Sequence, residues 1–268
     1  MRFLSIFLGC AAIAGAQWLH EPTKGIPRTR EGKPDLKASV RRQGGRPDLS
    51  GIWQVDSTPR SVLGNYLFPD GSNGLGEDDV NVNFVNYFHP TKFGEEPFTP
   101  GGAAQFRQMM QAGGKPPTLC PPPAIPIQDM APAPFKIVQS PGLTLFLYES
   151  DTAFRQIFTD GRRLPEDPNP SWMGNSVGHW ENDTLVIETN GLNPAPLDAM
   201  GHFHSGDARV TEKFRRIDVG HMELEIITND PKVYTKPVSI KVGMRLLPDT
   251  ELIEGFCESD HDLTHMGH

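Results

Sequence analysis

The chain lacks most of the short signatures that announce a common chemistry. It has no glycine-rich phosphate loop, no G-x-S-x-G nucleophile elbow, no H-E-x-x-H and no C-x-x-C. Nucleotide-dependent, serine-hydrolase, zincin and thioredoxin-like activities therefore have no support. Positive charge is in deficit: 25 Lys and Arg against 33 Asp and Glu give a formal charge of −8. A nucleic-acid partner would normally need a basic face, so none is expected. Long apolar runs are also missing, and no membrane span is expected. Cysteine is scarce, with only Cys10, Cys120 and Cys257.

Glycine and proline, by contrast, are abundant. With 27 Gly and 26 Pro in 268 residues, long helices are disfavoured and short strands joined by turns are favoured. The opening "MRFLSIFLGCAAIAGAQ" has Arg2, an apolar stretch from Phe3 to Ile13, and Ala14-Gly15-Ala16 before Gln17. This is the pattern of a signal peptide over residues 1–16 cleaved near Ala16, which places the protein in the periplasm or outside the cell. Lipoprotein anchoring at Cys10 is the alternative, although Phe7-Leu8-Gly9 makes a poor lipobox. In an oxidising compartment the remaining Cys120 and Cys257 are expected to form a disulfide. Closing so long a loop would stabilise the fold by about 4–5 kcal/mol in the chain-entropy picture.

Residues 17–47 are basic, rich in Gly and Pro and without periodicity, as in an extended arm. A single domain is expected over 48–268, opening with the apolar strand around Leu49, Ile52, Trp53 and Val55. Residues 59–134 form a long irregular insertion. Its one helical candidate is "TPGGAAQFRQMMQAGG", where Thr99 caps, Pro100 suits the first position and Gly113 the stop. From Phe135 onward short apolar-alternating segments are separated by turn pairs such as Pro141-Gly142 and Asn182-Asp183, ending with "ELIEGFCE". Consecutive strands without intervening helices predict an all-β fold, an antiparallel up-and-down barrel of roughly 8–10 strands. Closure is favoured because it removes exposed edges.

The Gly-x-Trp of "DLSGIW" resembles the start of lipocalin and calycin barrels. A larger resemblance runs from "RQIFTDGR" through "PSWMGNSVGHWENDTLVIET" to "HSGDARVTEKFRR" and "DPKVYTKP". These segments resemble an uncharacterised family of exported soil-bacterial lipocalin-like barrel proteins. The resemblance implies a fold and a compartment and carries no established catalytic residues.

Chemistry is best sought in "GHFHSGDARVTEKFRR". His202 and His204 at i, i+2 project from one face of an extended strand, as β scaffolds offer two imidazoles to Zn, Cu or Fe. The spacing to Glu212 is too long for a cupin. The likeness of "HFHSG" to the zinc segment of α-type carbonic anhydrases fails on the third ligand. His221, opposite roughly Arg215 in the next hairpin, would lie about 30 Å away at about 3.3 Å per residue. Asp198 or Glu188 could complete a metal site with the pair, or orient an imidazole as a metal-free acid/base pair. The bland alternative is two loop histidines at a strand entrance.

Val210, Glu212 and Phe214 share a face, which turns Glu212 inward and obliges it to find a partner. Arg155 and Arg245 are the candidates. Tyr148, Phe154, Phe158, Trp172, Trp180 and Phe214 are candidates to line a pocket, with Arg155 and Glu188 among its polar groups. Three functions stay open. The barrel binds a small, partly apolar or aromatic molecule with the His/carboxylate set as polar end. It uses that set as a hydratase, isomerase or lyase, with or without a divalent metal. Or it is filled and serves as an interaction protein.

Overall fold

The computed structural model describes residues 22–63, 80–111 and 124–256. The signal segment, Cys10, Cys120, Cys257 and the terminal histidines His261, His265 and His268 lie outside the described residues. The expected cleavage and disulfide, and the alternative anchor at Cys10, fall there with them.

Nine strands follow one another around a closed barrel: β1 (Gly51–Val55), β2 (Phe135–Ser140), β3 (Leu143–Tyr148), β4 (Phe154–Phe158), β5 (Asn175–Glu181), β6 (Thr184–Asn190), β7 (Arg209–Arg216), β8 (His221–Asn229) and β9 (Val238–Leu246). β9 returns to β1 through Met244↔Val55 and Leu246↔Trp53. β3, β7, β8 and β9 alternate as their sequences do. On β7, Val210, Glu212 and Phe214 are buried; on β8, Met222, Leu224, Ile226 and Thr228 are buried. Outward positions carry charge, and Lys213 and Lys241 each approach Glu225 to 3.6 Å, exposed contacts of little energetic weight.

The expected barrel is thus present, with one departure from strict up-and-down order. An odd number of strands cannot close a circle in perfect alternation, so one neighbouring pair must be parallel. That pair is β4–β5, bonded only at Ile157↔Ser176 and Phe158↔Val177. A parallel pair needs a long return connection, supplied by residues 159–174 with Pro165, Pro168 and Pro170. The expected last strand "ELIEGFCE" is a second departure. Glu251–Phe256 has no strand structure, because the edge of β9 it would have used is taken by β1.

The two barrel ends are closed differently. At one end the arm docks, with Gly220 N bonded to Leu36 O and Val219 N to Ala38 O, while the Arg216 guanidinium covers the Trp53 ring at 4.8 Å. The other end is capped by the insertion. It holds the one-turn helices α1 (Arg60–Leu63) and α2 (Val82–Val85), helix α3 (Pro100–Gln111) and a 3-10 turn at Ile127–Met130. Thr99 Oγ1 accepts from Gly102 N at 3.0 Å, as its capping role requires. A Cβ on Gly102 would meet the Val233 carbonyl at 2.4 Å, so only glycine lets α3 lie against the β8–β9 loop. Among the described residues no helix is long and apolar enough to cross a membrane.

Phe214, expected as a pocket wall, is instead a core residue with no exposed surface, edge-on to Phe146 at 5.2 Å. Phe214→Ala is expected to lower unfolding free energy by about 3–5 kcal/mol, measured by urea denaturation, and to leave ligand affinity of the folded fraction unaffected.

Candidate functional site

The deepest polar group is a charge cluster inside the barrel. Arg155 on β4 donates to Glu212 on β7, Nη1 to Oε1 at 3.0 Å and Nη2 to Oε2 at 2.5 Å. Nη1 also reaches Asp129 Oδ2 at 3.1 Å, Nη2 reaches Thr189 Oγ1 at 2.7 Å, and Nε reaches Ser176 Oγ at 3.1 Å. Tyr148 Oη donates to Asp129 Oδ1 at 2.6 Å. The expectation that Glu212 turns inward and needs a cation is met by Arg155. Arg245 bonds Gln54 instead.

Two carboxylates share one guanidinium, so one of them holds a proton. Burial and the charge of Glu212 push the Asp129 carboxyl well above its ordinary range. Burial also opposes the ionised Glu212, but Arg155 and the hydrogen bond with Asp129 together outweigh it and keep that carboxyl below its usual value. Protonated Asp129, hydrogen-bonded to ionised Glu212, leaves the cluster neutral, the condition under which buried charge is tolerable. Asp129 escaped the reading of the sequence because it sits in a Pro-rich stretch without periodicity. Its only signal was an acid between the apolar Ile127 and Met130.

The histidine pair lies at the capped end and is divided between two tasks. His202 Nδ1 meets Asp198 Oδ2 at 2.5 Å, and the same oxygen accepts Tyr87 N at 2.6 Å. The ring stacks on Phe106 with centroids 4.8 Å apart and planes nearly parallel at 11°, and meets Phe88 edge-on at 4.8 Å. Its Nε2 has no hydrogen-bond partner among the described residues, and the nearest carboxylate oxygen is Glu96 Oε1 at 3.5 Å. The Asp198–His202 pair anticipated from spacing is present, but an aromatic wall encloses it. Glu96 was not anticipated, since it belongs to the insertion and lies 106 positions from His202 only along the chain.

His204 has both ring nitrogens against carbonyls, Ser205 O and Ile125 O, each at 3.0 Å. It ties the strand entrance to the segment that carries Asp129. Burial pulls it below its ordinary value of 6.5, only partly offset by those carbonyls and by Asp230. Among the described residues no group of three or more His, Cys, Asp or Glu side chains is placed to hold a metal ion. Glu188, considered as a partner for the pair, is exposed: Leu185, Ile187 and Thr189 take the inward positions of β6. His221 lies at the opposite barrel end, bonded to Asp218 at 2.6 Å.

The remaining aromatic candidates divide between core and surface. Tyr148 is in the core, and Trp180 is half-buried with Arg46 at 5.7 Å from its ring. Phe154, Phe158 and Trp172 converge on a cleft of 720 Å³ in the barrel wall. The cleft arises where β4 and β5 splay apart below their two paired residues. Arg155 and Ser176 reach its floor, Met173 and Asn175 form a side, and Arg162 and Arg163 of the crossover loop stand at its edge. Gly174, at φ +63, lets the loop turn in against β6; a Cβ there would meet Thr189 and Leu192 within 2.8 Å.

Comparison with family models, with curated proteins and with solved structures returns no match to the chain.

Arg155→Met is expected to destabilise the protein by about 3–5 kcal/mol by stranding buried carboxylates, with the Arg155→Met/Glu212→Met double variant recovering at least half of that loss in urea titrations. His204 yields a pH prediction. The unfolded chain takes up this proton near 6.5 while the folded chain resists it, so stability falls as pH drops below that value. The fall in urea midpoint between pH 7 and pH 5 is expected to be shallower in His204→Gln.

Proposed function

We propose that the protein is an exported, lipocalin-like barrel that binds a small, partly aromatic molecule, and that it does so in the wall cleft between β4 and β5. The barrel axis offers less, being occupied by Phe135, Phe146, Phe214 and the Arg155 cluster. The observation that carries the reading is a pair of free ring faces. Phe154 and Trp172 are 60% and 40% exposed, both line the cleft, and neither stacks on another ring among the described residues. Large exposed aromatics are costly to leave in water and mark binding surfaces when they gather in one concavity. Phe158, the third ring, already has Arg162 over its face at 3.7 Å.

Of the lining expected from the sequence the cleft has Arg155 and Trp172, with Phe154 and Phe158; it lies in the barrel wall, and Tyr148, Trp180, Glu188 and Phe214 are not part of it. The guanidinium groups of β4 and the crossover loop adjoin the cleft, whereas His202 and Asp198 stay enclosed by the insertion. The cleft size suits one or two rings with short substituents.

A titration with the neutral fluorophore N-phenyl-1-naphthylamine tests the reading. Saturable binding is expected, and Phe154→Ala/Trp172→Ala is expected to weaken it about tenfold, roughly what two aromatic contacts contribute. Absence of binding, or an affinity indifferent to both substitutions, would refute the cleft as the site.

A further inference from the structure

The cleft has an uncommitted guanidinium as well as two free rings. In a chain of net charge −8, three arginines line it, Arg155, Arg162 and Arg163, against one acid, Asp151. Two of the three are committed. Arg155 is neutralised by Glu212 and Asp129. Arg162 forks onto Asp160, with Nε at 3.0 Å from both carboxylate oxygens and Nη2 at 2.6 Å from Oδ2, while its plane covers Phe158. Arg163 makes no hydrogen bond or ion pair among the described residues. On the acidic side, Asp151 accepts Ser150 Oγ at 3.2 Å, and Glu166 and Asp167 of the same loop are exposed outside the lining.

We propose that the molecule held in the cleft is an aromatic oxyanion, with its ring system between Phe154 and Trp172 and its carboxylate, sulfonate or phosphate on Arg163. The proposal rests on the reading of the cleft as a binding site for a small aromatic molecule and adds the charge that molecule carries. The physical reason is complementarity. With the other two guanidiniums committed, Arg163 is the one lining arginine whose donors are open among the described residues, and guanidinium is the side chain whose planar donor fork matches an oxyanion two bonds at a time. Arg162 completes the arrangement without binding the anion itself. Its fork onto Asp160 holds the start of the crossover loop, so that the adjacent Arg163 has a fixed base from which to reach. Arg155, with a side chain only 1% exposed, stays with Glu212 and Asp129 and does not contact the anion.

Two fluorophores sharing one ring skeleton separate this proposal from the reading beneath it. N-phenyl-1-naphthylamine is neutral, and 8-anilinonaphthalene-1-sulfonate adds a sulfonate. The intact protein is expected to bind the sulfonate about tenfold more tightly, with a preference that shrinks as salt rises from 20 to 500 mM, roughly the range over which screening takes hold. In Arg163→Gln the ratio of the two dissociation constants is expected to approach one. If the neutral probe fails to bind, the cleft reading falls and this proposal with it. If the neutral probe binds and the sulfonate gains nothing, only the oxyanion proposal falls. A sulfonate preference that survives in Arg163→Gln also overturns it, by placing the anion elsewhere.

Discussion

One guanidinium holds the capped half of the barrel together. Arg155 rises from β4 and bonds directly to β5 through Ser176, to β6 through Thr189 and to β7 through Glu212. Through Asp129 it also anchors the insertion, and Tyr148 of β3 closes the ring of contacts. A buried ion group of this kind contributes little net stability over an apolar replacement. What it supplies is specificity: each donor has one acceptor in place, so the strands and the capping segment share a single register. It also makes a carboxylic acid keep its proton in the interior, since one cation cannot neutralise two carboxylates.

The same residue stands at the seam from which the cleft opens. Nine strands force one parallel pair. With only two residues of β4 and β5 in register, the strands diverge beneath it, and the crossover loop that parallel pairing demands folds over the gap. Strand number, seam, loop and cleft are therefore consequences of one another. The side chains around the opening then differ by what they have already satisfied. Phe158 and Arg162 cover each other, Arg155 is spent in the core, and Phe154, Trp172 and Arg163 keep their open faces and donors.

The histidines that draw attention in the sequence serve the cap. His202, held by Asp198 and wrapped by Phe88 and Phe106, joins the β6–β7 connection to the insertion. His204 joins it to the segment around Ile125. Neither is open to solvent. Two imidazoles on one strand face are a sound signal for chemistry only when the space in front of them is empty, and here a segment about a hundred residues upstream fills it.

Alternation along strands such as β7 and β8 was enough to establish the barrel, the inward turn of Glu212 and its need for a cation, because side-chain direction in a strand follows from backbone geometry alone. Turn residues placed the hairpins, and Thr99 with Pro100 placed α3, for equally local reasons. The sequence by itself thus determined the succession of hairpins from β2 to β9, the inward face of β7 and the presence of a buried charge needing compensation. Only the tertiary structure decided that Asp129 shares that charge, that Glu96 and two phenylalanines enclose His202, and that one strand pair runs parallel and opens a cleft. These depend on contacts between segments far apart in the chain and on the parity of a closed ring of strands, and neither leaves a period or a spacing that a linear sequence can display.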